Sequence, residues 1–326
     1  MKKFEILKEI IEQHKSFLLT THVNPDADAL GSELALHEIL LLLDKKVRVV
    51  NHSATPYNLE FLDEKKVIEK YDSEIHKNIF NEADVLIVLD LNQANRVVKM
   101  EKGLTEFTGI KICIDHHKDP ENFVNHFIGG DEYSATGEII YDFLEQAKLV
   151  KMDKRIAEMI YVAVMTDTGS FRFERTSPKI HKLAADLLSY GVNPTAIYDK
   201  VYDQFRVGRI KLLGETLSSI ELHADGKIAV MKVTREALEK NNSSEADVDG
   251  FVNYCLSIQN VLIGILIYEL KDGIKISFRS KGNIPVNKLA HEFNGGGHSN
   301  AAGAKILNTG IEEAKKKILK SAINYL

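Results

Sequence analysis

In the first half of the chain, apolar runs of strand length alternate with helical patterns. Phe17 to Thr21, Val47 to Val50, Val85 to Leu89 and Ile112 to Ile114 read as short buried strands, and helix candidates such as Glu33 to Leu43 lie between them. Strands that are apolar throughout and separated by helices cannot be joined by tight hairpins. The alternation therefore predicts an α/β fold, a mainly parallel sheet with helices on both faces. Further helices are expected at Thr136 to Ala147, Lys154 to Met165 and Pro178 to Ser189.

At 326 residues the chain exceeds one typical core of about 100 to 200 residues, so two domains are expected. Tyr190-Gly191-Val192-Asn193-Pro194 interrupts the helical pattern, with Gly191 where a helix C-terminus would end and Pro194 just beyond. The first domain is placed at residues 1–190, a helical connector at 191–221, and a smaller α+β domain at 222–326. In the last of these, a strand (Ile228 to Val233) and two short helices (Arg235 to Lys240, Phe251 to Leu256) precede two long strand patterns, Val261 to Leu270 and Ile274 to Phe278. Lys271-Asp272-Gly273 joins the long strands as a hairpin turn, which implies an antiparallel sheet. A helix near Val286 to Phe293, a glycine-rich loop from Gly295 to Gly303 and an amphipathic terminal helix from Ile311 follow.

Composition matters mainly for what it excludes. No apolar run approaches the roughly 18 residues that span a bilayer, and the first residues do not read as a signal peptide. Cys113 and Cys255 fall in different expected domains, so a disulfide framework is excluded and a cytoplasmic location fits. A formal net charge of −5 argues against a protein that tracks long nucleic acid, whose affinity comes from many Lys and Arg contacts to phosphates. Short anionic substrates, held by a few local charges, remain.

The expected strands end in acidic and imidazole residues. His22, Asp26 and Asp28 follow the first, in a turn where Asn24-Pro25 forces the chain away from helix; Asp90 ends the third; Asp115-His116-His117 ends the fourth. Asp167 falls at the end of the helix that begins near Lys154. Asp26 and Asp28, one residue apart in a short extended stretch, would point in different directions and serve two neighbouring metals. Each element alone has a bland reading, as a polar loop or a helix N-cap. Four in order at the edge of one expected sheet point to a metal site. Mixed imidazole and carboxylate donors suit manganese, iron, cobalt or zinc, and favour Mn2+ over Mg2+. Two divalent ions about 3.5 to 4 Å apart would generate a hydroxide and clamp both oxygens of an in-line displacement at phosphorus.

With these motifs the chain resembles the DHH phosphoesterases, and among them the DHH/DHHA1 proteins of the nanoRNase and pAp phosphatase type. His22-x3-Asp26-x-Asp28, Asp90, Asp115-His116-His117 and Asp167 carry the resemblance, with Ala27 where many relatives have Gly. The resemblance implies that His22, Asp26 and Asp90 hold one metal, that Asp28, Asp90, His116 and Asp167 hold the other, and that Asp90 bridges them. It makes His117 a residue beside the scissile phosphate and Asp115 a supporting partner for a ligand histidine. Arg96 is open between substrate contact and plain surface, and Arg172, Arg175 and Lys179 read as a solvated face.

Near the C-terminus, Ile274, Ile276 and Phe278 alternate with Ser277 and Arg279, and Gly295-Gly296-Gly297-His298 lacks side-chain bulk, so backbone N–H groups could meet an anion. The resemblance assigns Ser277, Arg279, Gly295, Gly296, Gly297 and His298 to the DHHA1 module, where Arg279 and His298 would grip the phosphate or base of a nucleotide. The implied function is a two-metal phosphoesterase that cuts very short oligonucleotides from 3′ to 5′ and removes the 3′-phosphate of pAp. The implied cofactors are two divalent ions, Mn2+ before Mg2+ or Co2+. Substrates would be short RNA or DNA oligonucleotides, or nucleotides such as pApA and pAp; a homodimer is left open and no membrane is involved. Two alternatives stand beside it: hydrolysis of cyclic di-AMP or pApA, and a catalytically inactive nucleotide-binding regulator.

Overall fold

A computed structural model describes residues 2–326, which fall into two compact units, the first ending at Gln204 and the second running Phe205–Leu326. The first unit holds β1 (Ser16–Thr21), β2 (Lys46–Asn51), β3 (Ile68–Lys70), β4 (Val85–Leu89), β5 (Ile110–Asp115) and β6 (His126–Gly129). Its helices are α1 (Lys2–Gln13), α2 (Ala27–Leu42), α3 (Glu101–Glu106), α4 (Thr136–Ala147), α5 (Lys154–Asp167), α6 (Pro178–Ser189) and α7 (Pro194–Tyr202). The strands form one parallel sheet in the order β3-β2-β1-β4-β5-β6. The expected α/β architecture is the observed one. Edge strands β3 and β6, three and four residues long, escaped the sequence reading because they are too short to show an alternation.

Period-two alternation sorts the strand residues between two cores. Phe17, Leu19, Ile87 and Ile112 face α1, α2, α4 and α5, while Leu18, Leu86, Val88 and Cys113 pack with Met100, Leu104 and Phe107 on the other side. Helices α2 and α5 pack closely at Gly31, where a Cβ would stand only 2.6 Å from the Met159 carbonyl oxygen. That approach carries Asp28, in the first turn of α2, to Asp167, the last residue of α5. Strand order reverses direction between β1 and β4, the position in open α/β sheets where ligands bind at the carboxyl ends of strands.

The second unit contains α8 (Val207–Ser218), β7 (Glu221–His223), β8 (Ile228–Val233), α9 (Arg235–Lys240), α10 (Asn253–Leu256), β9 (Ile263–Leu270) and β10 (Gly273–Ser280). It continues through α11 (Val286–His291), β11 (Gly296–His298), β12 (Ala301–Leu307) and α12 (Ile311–Ala322). The sheet order is β11-β12-β10-β9-β8-β7. It is mixed rather than wholly antiparallel, because β8 and β9 pair in parallel. The stretch between them, with α9 and α10, is long enough for a crossover. The glycine-rich segment is likewise not a free loop, since β11 pairs antiparallel with β12. Residues 191–221, read as one connector, form α7 and α8, and the division into units falls between these two helices. Among the described residues no helix is long and apolar enough to cross a membrane.

Candidate metal centre

Each acidic or imidazole side chain reaches the same edge of the first sheet by a local route. His22 follows β1 directly; its Nδ1 bonds the Val23 carbonyl at 2.9 Å, which turns Nε2 inward. Asn24 leaves the helical region through a left-handed conformation, φ 53°, which Asn tolerates. Asp26 is the N-cap of α2, its Oδ1 accepting from the N–H groups of Asp28 and Ala29 at 3.0 Å each. Because this cap starts the helix at Ala27, Asp26 and Asp28 do not lie in an extended stretch, as the sequence suggested. They diverge because one caps the helix and the other sits in its first turn. Asp90 adopts φ 58° just past β4, and Asp115 is the last residue of β5, with His116 and His117 immediately after.

These residues converge. His22 Nε2 lies 3.4 Å from Asp90 Oδ2 and 4.0 Å from Asp26 Oδ2. His116 Nε2 lies 3.2 Å from Asp167 Oδ2, 3.5 Å from Asp90 Oδ1 and 3.8 Å from Asp28 Oδ2. Two groups, His22/Asp26/Asp90 and Asp28/His116/Asp167, could each surround an ion, and Asp90 also groups with His116 and His117. Donors bonded to one ion at about 2.1 Å sit about 3.0 to 3.4 Å from one another, so separations slightly wider than a hydrogen bond suit a shared cation. Asp90 turns Oδ2 to the first group and Oδ1 to the second.

The electrostatics agree with that chemistry. Burial, then the charges of Asp90, Asp167 and Asp26, pushes the Asp28 carboxyl well up. Burial, then Asp26 and Asp90, does the same to Asp167. Burial acts the same way on Asp90, but a hydrogen bond to His22 and the charges of His117, His116 and His22 outweigh it and hold Asp90 below the usual carboxylate range. Carboxyls that retain protons against their neighbours mark a site short of positive charge. The imidazole and carboxylate donors fit divalent cations that would supply it.

Comparison with known proteins places this geometry. Residues 16–164 match the family described as DHH family, N-terminal domain, and residues 225–326 match the DHHA1 domain. The crystal structure of an exopolyphosphatase-related protein from Bacteroides fragilis superimposes with a TM-score of 0.93 and 35% identity, covering 99% of this chain and 96% of that one. The chain belongs to the DHH/DHHA1 family of phosphoesterases. Relatives named bifunctional oligoribonuclease and PAP phosphatase occur in Thermus thermophilus, 29% identical over 98% of this chain and 93% of that protein, and in Bacillus subtilis, 28% identical over 93% of each. The RecJ structure from Thermus thermophilus in complex with Mn2+ shares the fold at a TM-score of 0.59 and 12% identity, over all of this chain and 55% of RecJ.

Asp115, fully buried, bonds His117 Nδ1 at 2.7 Å. Its histidine partner is thus the one read as substrate-side, whereas the resemblance had assigned it to a ligand histidine. His117 Nδ1 also lies 3.6 Å from Asp90 Oδ1. Arg175, read as part of a solvated face, instead donates to the Tyr133 carbonyl at 3.2 Å, and its charge opposes the upward push on Asp167. Arg96 accepts the Val23 N–H at its carbonyl, 2.8 Å away, and its charge opposes protonation of His22 and His117.

In the second unit, strand register puts Arg279, Ala301 and His298 in one row across β10, β12 and β11, and Ser277, Gly303 and Gly296 in another. Paired residues share a face, so Arg279 and His298 project from the same side about 10 Å apart, two strand spacings. The floor between them carries only Ala301 and, one row on, small residues. Gly295 and Gly297 are required there by neighbouring backbone, since a Cβ on either would collide with the carbonyl of Gly303 or Ala301. Arg279 makes a hydrogen bond to the Phe278 carbonyl at 3.0 Å, and burial pushes its guanidinium down from its ordinary value.

Sequence reasoning missed the polar groups behind the cluster. Ser134, Thr136, Gly137 and Glu138 surround the start of α4, where Ala135 occupies the N-cap, so no capping pattern in the sequence singled these polar groups out. Glu33, fully buried on α2, was missed as well. Its Oε2 accepts from Asn51 Nδ2 at 2.7 Å, and Asn51 Oδ1 accepts from the Thr21 N–H at 3.1 Å.

Burial raises the Glu33 carboxyl to about 8, against the opposing bond from Asn51. Between its unfolded value of 4.5 and about 8 the folded chain binds more protons than the unfolded one, so this group's contribution to stability falls as pH rises through that window. Glu33→Gln is expected to remove the decline. Urea unfolding between pH 5 and 9 should show the variant gaining on the parent chain by up to roughly 1.4 kcal/mol per pH unit and levelling off above the window. Parallel curves would show that Glu33 does not titrate there.

Proposed function

We propose that the chain is a divalent-metal-dependent phosphodiesterase acting on very short oligonucleotides from 3′ to 5′, and a phosphatase that removes the 3′-phosphate of pAp. The observation that carries this reading is Asp90, whose two oxygens face two different groups of ligand-type atoms. Two ions, Mn2+ in preference to Mg2+ or Co2+, are the proposed cofactors: His22, Asp26 and Asp90 would hold one, and Asp28, Asp90, His116 and Asp167 the other. Bound there, they supply Lewis acidity at phosphorus and acidify water at neutral pH.

The remaining work falls to the chain's own side chains. Asp115 engages Nδ1 of His117 and fixes the ring, leaving Nε2 as the substrate-side atom. Arg175 and Arg96 add positive charge near Asp167 and His117. In the second unit, Arg279 and His298, with Ser277 and the backbone of Gly295, Gly296 and Gly297 beside them, are proposed to bind the nucleotide. A guanidinium that is already half-buried grips phosphate at a reduced further desolvation cost. The Thermus thermophilus and Bacillus subtilis relatives, both named as oligoribonuclease and PAP phosphatase, support this substrate class over cyclic dinucleotides.

The test is a turnover panel with Mn2+, Mg2+ and Co2+ against pApA, RNA of two to five nucleotides, pAp, cyclic di-AMP and pyrophosphate. Cleavage of pApA, short RNA and pAp, fastest in Mn2+, is the expected result. Turnover of pyrophosphate alone would refute the nucleotide assignment, and binding without turnover of any substrate would favour an inactive regulator.

A further inference from the structure

Thr136 touches both halves of the carboxylate cluster. Its backbone N–H donates to Asp28 Oδ2 at 2.7 Å, and its Oγ1 donates to Asp90 Oδ1 at 3.0 Å. The next N–H, of Gly137, donates to Asp28 Oδ1 at 2.9 Å. Thr136 has no exposed surface. It is the first residue of α4, whose N-cap, Ala135, has no side chain to satisfy the helix's leading N–H groups. Asp28, 108 residues earlier in the chain, takes that place and meets the positive end of the helix.

The segment that presents Thr136 is anchored independently of the cluster. Ser134 N–H donates to Glu138 Oε2 at 2.7 Å, Ser134 Oγ donates to the Arg175 carbonyl at 2.7 Å, and Lys179 Nζ pairs with Glu138 Oε1 at 2.8 Å. A frame built on α4 and the segment after α5 thus sets where Thr136 stands, and Thr136 in turn sets the carboxylates. A side-chain oxygen that accepts one hydrogen bond keeps a lone pair for a cation, but its rotation is no longer free.

We infer that Thr136 is a positioning residue, whose hydroxyl locks the rotation of Asp90 relative to Asp28 so that divalent cations meet both carboxylates preorganised. The inference rests on reading Asp28 and Asp90 as metal ligands. Valine at this position keeps the backbone bond to Asp28 and the side-chain shape, and removes only the hydroxyl. Serine keeps the hydroxyl and removes a methyl group.

The experiment is calorimetric titration of the full-length chain with Mn2+, for the parent, Thr136→Val and Thr136→Ser, together with pApA turnover at saturating Mn2+. Thr136→Val is expected to weaken Mn2+ binding about 10- to 100-fold, and Thr136→Ser to bind within about threefold of the parent. Should the valine variant not fold, Thr136→Ala provides the same comparison. Mn2+ affinity in the hydroxyl-free variant equal to that of the parent overturns the inference alone, as does a serine variant as weak as the valine one. A parent chain that binds no Mn2+ overturns the metal reading and this inference with it.

Discussion

Asp90→Asn is expected to lower Mn2+-dependent turnover of pApA by about a thousandfold or more while the protein stays folded, because losing roughly 4 kcal/mol of charge stabilisation at phosphorus corresponds to that factor. Asp90 stands where the strand order reverses between β1 and β4, and it faces His22 with one oxygen and His116 with the other. An amide there keeps the shape but removes the charge both groups share. Asparagine also suits the backbone, since position 90 has φ 58°, a conformation that Asn and Asp tolerate better than other side chains. Asp90→Ala should be equally inactive and also less stable, because alanine in a left-handed conformation costs about 1 to 2 kcal/mol. Initial rates, with circular dichroism and thermal melts of both variants, check the expectation. Activity retained by Asp90→Asn would sink the assignment of two ions bridged by this residue.

Removing divalent metal by chelation is expected to lower the melting temperature of the parent chain by about 5 to 10 °C, and to change that of Asp90→Asn far less. An ion that binds only the folded form adds about 2.7 kcal/mol when its free concentration is a hundred times Kd. For a domain of 150 to 250 residues, each kcal/mol shifts the melting temperature by about 2 to 4 °C. The physical source of the effect is visible in the cluster: Asp28 and Asp167, buried among other carboxylates, are driven toward their protonated forms until a cation relieves the repulsion. Differential scanning calorimetry with EDTA, then with Mn2+ or Mg2+ restored, reads the shift and ranks the two ions. A melting temperature indifferent to chelation would argue that the cluster holds no ion in solution.

Much of the fold was legible because the signal is local. Val85 to Leu89 is apolar at every position, which a strand buried on both faces demands, and its bounds in the structure match those read from sequence. Thr136 to Ala147 and Pro178 to Ser189 also match, the second being announced by Ser177 and Pro178 at its start. The errors have separate causes. α2 begins at Ala27 rather than Glu33 because Asp26 caps it, and a residue read for its chemistry was not credited with a structural role. β8 pairs with β9 in parallel because of a crossover whose length, not its residue pattern, carries the information. The break between α7 and α8 at Asp203 to Arg206 contains neither Gly nor Pro, so nothing in the sequence announced it.

The candidate site divides in the same way. Sequence alone determined that His22, Asp90, Asp115 and His116 would gather at one edge of the sheet, because each directly follows or ends a strand and parallel strands bring their carboxyl ends together. It could not determine which atoms would meet. Only tertiary structure brought Asp167, at the end of α5, to Asp28 in the first turn of α2, through the tight packing of these helices at Gly31. Only tertiary structure made Asp28 the cap of α4 and placed Thr136 between two carboxylates. The physical reason is one of range: backbone geometry fixes direction over a few residues, whereas partners 46 or 108 residues apart are chosen by which helices can approach closely enough to share a core.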